Sequence, residues 1–395
     1  MRVLQLSTSN HGGAGISAAI LDKKLQEYGV ESRLITRSNL KLYEFANSKA
    51  TTFLGKITAS NEYDFLSSHS AFTLDPKQVS DLDPHIIHVH NWYNMLSVSS
   101  FSILSKISPI VFTLHDERLV TGGCHVTLGC GKYLSKCTNC PAHRLHFSRE
   151  KYRSELVSFF ESGANYGIIS PSNWLMKKIE RTPMAKNAMF LRVIPNHLAM
   201  HATTLSTPKK NVEKTQLIFV ASNLEAPYKG LKLLFSAMSI LDTKLEQSDK
   251  KLDLTLVGSS TREISLAFKN ICMTVKPQLS TEELSEQLTL TDILVVPSLS
   301  ENYPGVVAEA QLQGARVVAN NIGGISEMVD DGFSGYLSSP HPESLAEKIF
   351  EAIFDPNWEI VRTRAFQAVN ARQNEQLINQ QHKEAYEELL NGAGE

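Results

Sequence analysis

Residues 301–319 read ENYPGVVAEAQLQGARVVA, and they follow the apolar run DILVVP at 292–297. That run is short, rich in β-branched residues and closed by Pro297 and Ser298, which is the signature of a buried strand. Pro304 and Gly305 open a stretch with helical spacing that ends at Gly314, and RVVAN at 316–320 resumes the strand pattern. Strand, helix 304–314 and strand make a βαβ unit, so the two strands run parallel. Glu301 then falls in the loop at the carboxyl end of the first strand, and Glu309 falls within the helix.

The same alternation extends outward. Strands are predicted at 216–221, 252–257, 292–297 and 316–320, with helices at 230–241 and 281–289 between them. The front half repeats the theme. Residues 2–7 (RVLQLS) read as a strand, HGGAG at 11–15 as a glycine turn, the stretch to Tyr28 as a helix and 31–36 (ESRLIT) as a second strand. Further strands are predicted at 85–90, 109–115, 166–170 and 191–194, and helices at 96–106 and 172–181. Residues 37–80 carry no usable pattern. The polar, Thr-rich stretch 198–214 reads as a linker, and two long helices are predicted at 342–355 and 358–391. The expected architecture is α/β: a Rossmann-like domain over 1–200, a second over 210–375, and a helix from 376 to 395 packing back on the first. Ligands bind such sheets at the carboxyl ends of their strands. With two domains facing each other, the cleft between them is the expected site.

The bulk composition narrows the function. The chain has 395 residues, 42% hydrophobic and 20% charged, with a formal net charge of -2. It lacks the basic excess of a general nucleic-acid binder. The opening MRVLQLSTSNHGG lacks the pattern of a secretory leader, and no run reaches 18 apolar residues. The expected compartment is the cytosol, where thiols stay reduced.

The paired glutamates suit a nucleotide-linked sugar. A loop carboxylate accepts hydrogen bonds from sugar hydroxyls, and a helix carboxylate can clasp a ribose diol with both oxygens. Between them the amides of Gly305 and Val306 face an anion favourably. A pair of glutamates alone reads equally as a solvated helix start. The HGGAG turn either cradles a phosphate or only packs tightly, since its spacing is neither a P-loop nor the dinucleotide fingerprint.

Taken together, these segments resemble glycosyltransferase family 4. The resemblance rests on Glu301-x7-Glu309 with Gly314 and the strand after it, and on NIGGISEMVDDGFSGYL with Gly323, Gly324, Glu327, Gly332, Gly335 and Tyr336. Lys229-Gly230 after QLIFVA, Ser170-Pro171-Ser172 and Ile194-Pro195-Asn196 agree with it, so the likeness spans nearly the whole chain. It implies the two-domain GT-B fold, transfer with retention of anomeric configuration, and no catalytic metal. It also implies roles by position. Glu301 would contact the transferred sugar, Glu309 the ribose and Lys229 the diphosphate, with Tyr303, Pro304, Gly305 and Val306 around the donor and Gly12 and Gly13 bordering it. Many members carry an arginine six residues before the lysine; here that position is Asn223, which can hydrogen-bond but brings no charge.

His88, His90, His115 and Asp116 fall at predicted strand ends of the first half. The His115-Asp116 pair resembles the family's histidine at the sugar site, and His90 and Asp116 are assigned to the acceptor side. No general base is required if the leaving phosphate takes the acceptor proton.

Four of the five cysteines, Cys124, Cys130, Cys137 and Cys140, lie in an insert over 121–143, the last two as Cys-x2-Cys. In a cytosolic protein four such thiols suggest a structural zinc, with His125 as an alternative ligand. Free or oxidised thiols are the competing reading. The insert resembles one carried by some bacterial polysaccharide glycosyltransferases, which points to acceptor recognition. Cys272 stands alone in an apolar run and reads as core. Arg149, Lys151, Arg153, Lys177, Lys178 and Arg181, with Trp174 and Met176, read either as a solvated face or as a peripheral inner-membrane contact reaching a lipid-linked acceptor. The expected partners are a UDP- or GDP-sugar and a saccharide of a bacterial surface polysaccharide. A nucleotide-sugar epimerase and a non-catalytic, zinc-stabilised sugar- or nucleotide-binding protein are the alternatives.

Overall fold

β1 (Arg2–Ser7) carries apolar residues on both faces, and so do the strands beside it. Val3, Ile86, Val111 and Ile169 point to one side of the sheet, and Leu4, Leu6, Ile87, Val89, Phe112 and Ile168 to the other. Near-continuous apolar strands of this kind demand cover on both faces, which parallel sheets receive from their crossover helices. The structure, a computed structural model, describes residues 1–40, 42–44, 72–140, 147–200, 202, 204–205 and 214–392. The chain divides into two compact units, Met1–His197 with Glu375–Glu395, and Leu198–Asn374.

In the first unit β1 is followed by α1 (Gly12–Glu27), β2 (Glu31–Thr36), a small antiparallel pair β3 (Leu42–Glu44) and β4 (Phe72–Leu74), and α2 (Pro76–Ser80). Then come β5 (Ile86–Asn91), α3 (Val98–Leu104), β6 (Ile110–Thr113), α4 (Phe147–Phe160), β7 (Tyr166–Ser170), α5 (Asn173–Ile179) and β8 (Leu191–Val193). The main sheet has the order β2-β1-β5-β6-β7-β8, parallel throughout. Strand order reverses between β1 and β5, so the connections leave a crevice at their carboxyl ends.

The second unit contains β9 (Lys214–Asn223), α6 (Leu231–Leu245), β10 (Lys251–Ser259), β11 (Ile271–Lys276), α7 (Thr281–Thr289) and β12 (Ile293–Val296). It continues with α8 (Gly305–Gln313), β13 (Arg316–Asn320), β14 (Tyr336–Ser338), α9 (Pro342–Phe354) and α10 (Trp358–Arg372). Its sheet order is β11-β10-β9-β12-β13-β14, again parallel. That is the doubly wound order 3-2-1-4-5-6, with its switch point between β9 and β12.

The final helix, α11 (Glu375–Gly392), belongs to the first unit. Ile378, Ala385, Tyr386 and Leu389 are buried against Val3, Ile86, Val111 and Ile169, completing the face that α1 covers with Leu21 and Leu25. Burying each large apolar side chain contributes roughly 1.5–3 kcal/mol, so this helix is integral to the fold of that unit. Lys24–Glu375 and Arg192–Glu388 ion pairs flank the contact.

Three sequence expectations change. The helix expected over 358–391 is two helices, broken at Gln373 and Asn374, because its halves serve different units. β11 and β14 escaped the periodicity reading. β11 is an edge strand buried at Ile271 alone, and β14 has only three residues. Cys272 is exposed on that edge rather than in the core. Much of 37–80 and of the expected linker at 198–214 lies outside the described residues.

Candidate functional site

In the second unit two loops meet at the switch point. The loop after β9 forms a short 3-10 turn, Pro227–Lys229, ending in Gly230. Gly230 has φ +78°, and a Cβ there would stand 1.9 Å from the Pro297 carbonyl oxygen. Only glycine allows both the left-handed backbone and that approach. The loop is therefore pressed against the end of β12, and the Leu299 N–H donates to the Tyr228 carbonyl at 2.7 Å. Asn320 reinforces the junction from β13 by donating to the carbonyls of Pro297 and Ser298 at 2.9 and 3.0 Å.

The result is a charged pair. Lys229 Nζ lies 2.6 Å from Glu301 Oε1, and the Ser298 hydroxyl donates to the same oxygen at 2.9 Å. Burial pulls the Lys229 ammonium down, but the adjacent Glu301 carboxylate outweighs it and the net shift is upward. Lys229 is thus held cationic. Glu301 is itself fixed through its backbone. Its carbonyl accepts from the Gly324 N–H at 3.0 Å, and Gly323, at φ +60°, lies so close that a Cβ would meet the same oxygen at 1.8 Å.

Glu309 sits one turn into α8 with its carboxylate beside Gly305, where a Cβ would meet Oε1 at 3.6 Å. No hydrogen bond or ion pair to it exists among the described residues. Burial alone pushes its carboxyl up to about 7. Pro304 caps α8 in extended conformation, and no acidic residue stands in the first turn to offset the helix dipole. The first-turn amides of Gly305 and Val306 have no carbonyl to reach within the helix. Tyr303 accepts a long hydrogen bond from Gln373 at 3.4 Å, and burial raises its phenol. Asn223 ends β9, exposed, and its Oδ1 accepts the Glu225 N–H at 2.9 Å. So Lys229, Glu301 and Ser298 are brought into contact, with the unpaired Glu309 on the helix that follows.

In the first unit Gly12 and Gly13 open α1, and nothing lies within 4 Å of where their Cβ atoms would be. Gly15 has the packing role, since a Cβ there would meet the Ser9 carbonyl at 2.5 Å. His90 is buried at the end of β5. Its Nδ1 is 3.0 Å from His115 Nε2, and its Nε2 is 2.6 Å from Gln5 Oε1. Burial lowers the His115 imidazole to about 4 and His90 well below the usual range. Both rings are neutral at physiological pH. His88 is wholly buried between Tyr386 and Thr113, at 2.8 and 2.7 Å. Asp116 caps the next 3-10 turn, accepts the Arg118 N–H at 2.9 Å and pairs with the Arg118 guanidinium, which stacks on Tyr93.

The four insert cysteines carry free thiols. Burial pushes Cys124 up to about 12, with Cys140, Cys137 and Cys130 near enough to add to the effect. Among the described residues no three His, Cys, Asp or Glu side chains converge as a metal-holding group. The basic face is corrected. Arg149 and Arg153 are buried, Met176 is buried, and Lys178 lies over the Trp174 ring and pairs at 2.8 Å with the buried Glu117. Only Lys151, Lys177 and Arg181 of the six cations are exposed.

Sequence reasoning missed Ser298, Asn320, Gln5 and Ser32. Small polar residues at strand ends carry little signal, although Ser298 and Asn320 each end a run already read as a strand.

Comparison with known proteins follows this geometry. Residues 203–373 match the family model described as Glycosyl transferases group 1. The chain is similar to the D-inositol 3-phosphate glycosyltransferase of Arthrobacter sp. (strain FB24), 31% identical over 135 residues, covering 32% of each chain. It is also similar to the putative colanic acid biosynthesis glycosyl transferase WcaC of Escherichia coli (strain K12), 25% identical over 299 residues and 68% of each chain. The matches to the inositol phosphate enzymes span about a third of their length. Among solved structures, sucrose-phosphate synthase (tll1590) from Thermosynechococcus elongatus superposes with a TM-score of 0.66 at 17% identity, over 99% of this chain and 100% of that one. Anabaena Alr3699/HepE in complex with UDP and glucose gives 0.60 at 16%, over 98% and 99%. The fold is the GT-B fold of these structures, with two parallel-sheet Rossmann-like domains.

Proposed function

We propose that this protein is a retaining glycosyltransferase that moves a hexosyl group from a UDP- or GDP-sugar to a saccharide acceptor. The observation that carries the reading is the arrangement at the β9/β12 switch point: a fixed cation, Lys229, bonded to Glu301, with an unpaired carboxylate, Glu309, on the following helix. A nucleoside diphosphate sugar needs a positive charge for the diphosphate, acceptors for the sugar hydroxyls and a carboxylate for the ribose diol. The similarity of residues 203–373 to group 1 glycosyl transferases supports it.

In the proposed reaction the bond between the anomeric carbon and the diphosphate oxygen breaks as the acceptor hydroxyl bonds to the same face of that carbon. The acceptor proton passes to the departing phosphate oxygen, so no protein base is needed. Lys229 and the α8 amides stabilise the charge that develops on the diphosphate. Glu301 holds the transferred sugar. Gly12 and Gly13 leave open backbone for the donor, and His115 and His90 serve the sugar side of the reaction. Asn223 replaces a charge with a neutral donor, which leaves Lys229 as the main positive group. We assign the acceptor to bacterial surface polysaccharide, free or lipid-linked, by analogy with the WcaC likeness, and the reaction to the cytoplasm or the inner-membrane face. The four insert cysteines are proposed to bind zinc, which would only brace the insert.

The test is nucleotide release from UDP-, GDP-, ADP- and TDP-sugars, with and without saccharide acceptors. Release from one donor class, lost in Glu301→Ala, supports the proposal. Tight nucleotide binding without release from any donor would instead favour a non-catalytic binding protein.

A further inference from the structure

A chain of four polar side chains runs behind His115 and ends at a carboxylate. Asp22 on α1 accepts from the Ser32 hydroxyl at 2.6 Å through Oδ1 and from the Gln26 amide at 3.1 Å through Oδ2. Ser32, buried on β2, accepts from Gln5 Nε2 at 3.0 Å. Gln5, buried on β1, faces His90 Nε2 with its Oε1 at 2.6 Å, and His90 Nδ1 faces His115 Nε2 at 3.0 Å. All five residues belong to the first unit.

The direction of these bonds follows from proton inventory. An ionised carboxylate only accepts, so Ser32 must spend its single proton on Asp22. The Ser32 oxygen is then left to accept, which makes Gln5 donate through its amide nitrogen and accept through its carbonyl. His90 must therefore carry its proton on Nε2. As a neutral ring it has a bare Nδ1, so His115 must be the donor in the bond between the two imidazoles. His88 stacks on His90 with ring centroids 4.1 Å apart, but its own nitrogens are engaged by Tyr386 and Thr113 and do not compete.

We infer that Asp22, Ser32, Gln5 and His90 form a polarised relay that locks His115 in the Nε2–H tautomer and presents its Nδ1 as a bare acceptor. His115 Nδ1 has no hydrogen-bond partner among the described residues, and the ring borders a small cavity with Thr113, Asn196 and His197. The ligand chemistry that matches is a hydroxyl donor, such as a sugar hydroxyl. That use of the ring rests on the transferase reading; the tautomer does not. Asp22, Ser32, Gln5 and His90 are positioning residues, acting through His115.

The experiment is ring-nitrogen NMR on the full chain labelled with ¹⁵N-histidine, with the His115 signals assigned by their loss in His115→Gln. The wild type is expected to show a single Nε2–H tautomer at His115. Asp22→Asn, a near-isosteric change remote from the ring, supplies a donor where the relay needs an acceptor and should produce mixed tautomers. Gln5→Leu should do the same. His90→Asn keeps an acceptor toward His115 and should preserve the wild-type form, whereas His90→Leu should lose it. A proton on Nδ1 in the wild type, or an unchanged tautomer in both Asp22→Asn and Gln5→Leu, overturns the relay. If the wild type transfers sugar, Asp22→Asn should lower kcat without changing donor KM. If it does not, the transferase reading fails while the spectra still judge the relay.

Discussion

Lys229 Nζ and Glu301 Oε1, 72 positions apart in sequence, stand 2.6 Å apart because Gly230 lets the β9 loop rest on the Pro297 carbonyl. The contact has a steric origin as much as an electrostatic one. Gly230→Ala should therefore destabilise the protein by about 2–4 kcal/mol, since the added methyl needs both a strained backbone and displaced carbonyl. Urea unfolding of the variant measures this, and a change below 0.5 kcal/mol (roughly the level of an ordinary surface substitution) would contradict the packing argument.

Lys229→Ala is expected to leave the fold intact and to reduce nucleotide release by about 10²-fold or more, the scale seen when one charge-stabilising group is removed. Steady-state kinetics on the active donor class decides it. A fall confined to donor affinity, with kcat preserved, would reassign Lys229 from the departing diphosphate to binding alone.

Glu309 titrates about 7 in the folded protein, above its ordinary 4.5, because burial disfavours the charge. The folded state thus holds a proton that the unfolded chain has released. This opposes stability progressively from about pH 4.5 to 7 and fully above that. Glu309→Gln should accordingly raise thermal stability at pH 8, by roughly 1–3 kcal/mol, and have no effect at pH 4. Nucleotide affinity of the wild type should rise through the same window as the carboxylate ionises, and the Gln variant should lose that pH dependence.

The buried histidines act in the opposite sense. His115 and His382 are each lowered to about 4 by burial. Their neutral forms contribute stability that is complete above pH 6.5 and is lost as pH falls toward 4. Acid should therefore open the first unit, with each ring costing about 2 kcal/mol at pH 4. Limited proteolysis at pH 5 and pH 7.5 tests this, with cleavage between residues 72 and 197 expected first at low pH.

Lys178→Ala should cost about 2–4 kcal/mol, because it strands the buried Glu117 carboxylate without its partner. Lys177→Ala, one position away and exposed, should be within 0.5 kcal/mol of wild type, roughly the surface norm. Equal effects would argue that the two lysines share one solvated face.

Zinc in the insert is open to direct measurement. One zinc per chain by elemental analysis, lost in Cys124→Ser, would support the ligand set of Cys124, Cys130, Cys137 and Cys140. Full metal content in that variant would remove Cys124 from it, and metal-free protein with four titratable thiols would remove zinc altogether.

Much of the architecture was legible because its strands are buried on both faces. VLQL, IIHV, LIFV, ILVV and RVVA are apolar runs that admit few other readings. β11 was missed because an edge strand exposes Cys272 and Val275, which erases the apolar signal. The Glu301 and Lys229 positions were found through a resemblance, and their contact was not, since nothing in local sequence tells that Gly230 lies under Pro297. The basic face failed for a physical reason. Charge counted along a helix does not reveal which cations turn inward, and Arg149, Arg153 and Lys178 do so to satisfy the Gly122 and Tyr133 carbonyls and the Glu117 carboxylate.

The return of α11 to the first unit has a consequence for biosynthesis. The sheet of that unit is complete once residue 193 is made, but Tyr386 and Leu389, which close one face of it, follow about 180 residues later. At roughly 5–20 residues per second, the ribosome spends about ten to thirty-five seconds on the intervening unit. For that interval Val3, Ile86, Val111 and Ile169 are bare on the nascent chain, a window in which a chaperone rather than the protein's own helix must cover them.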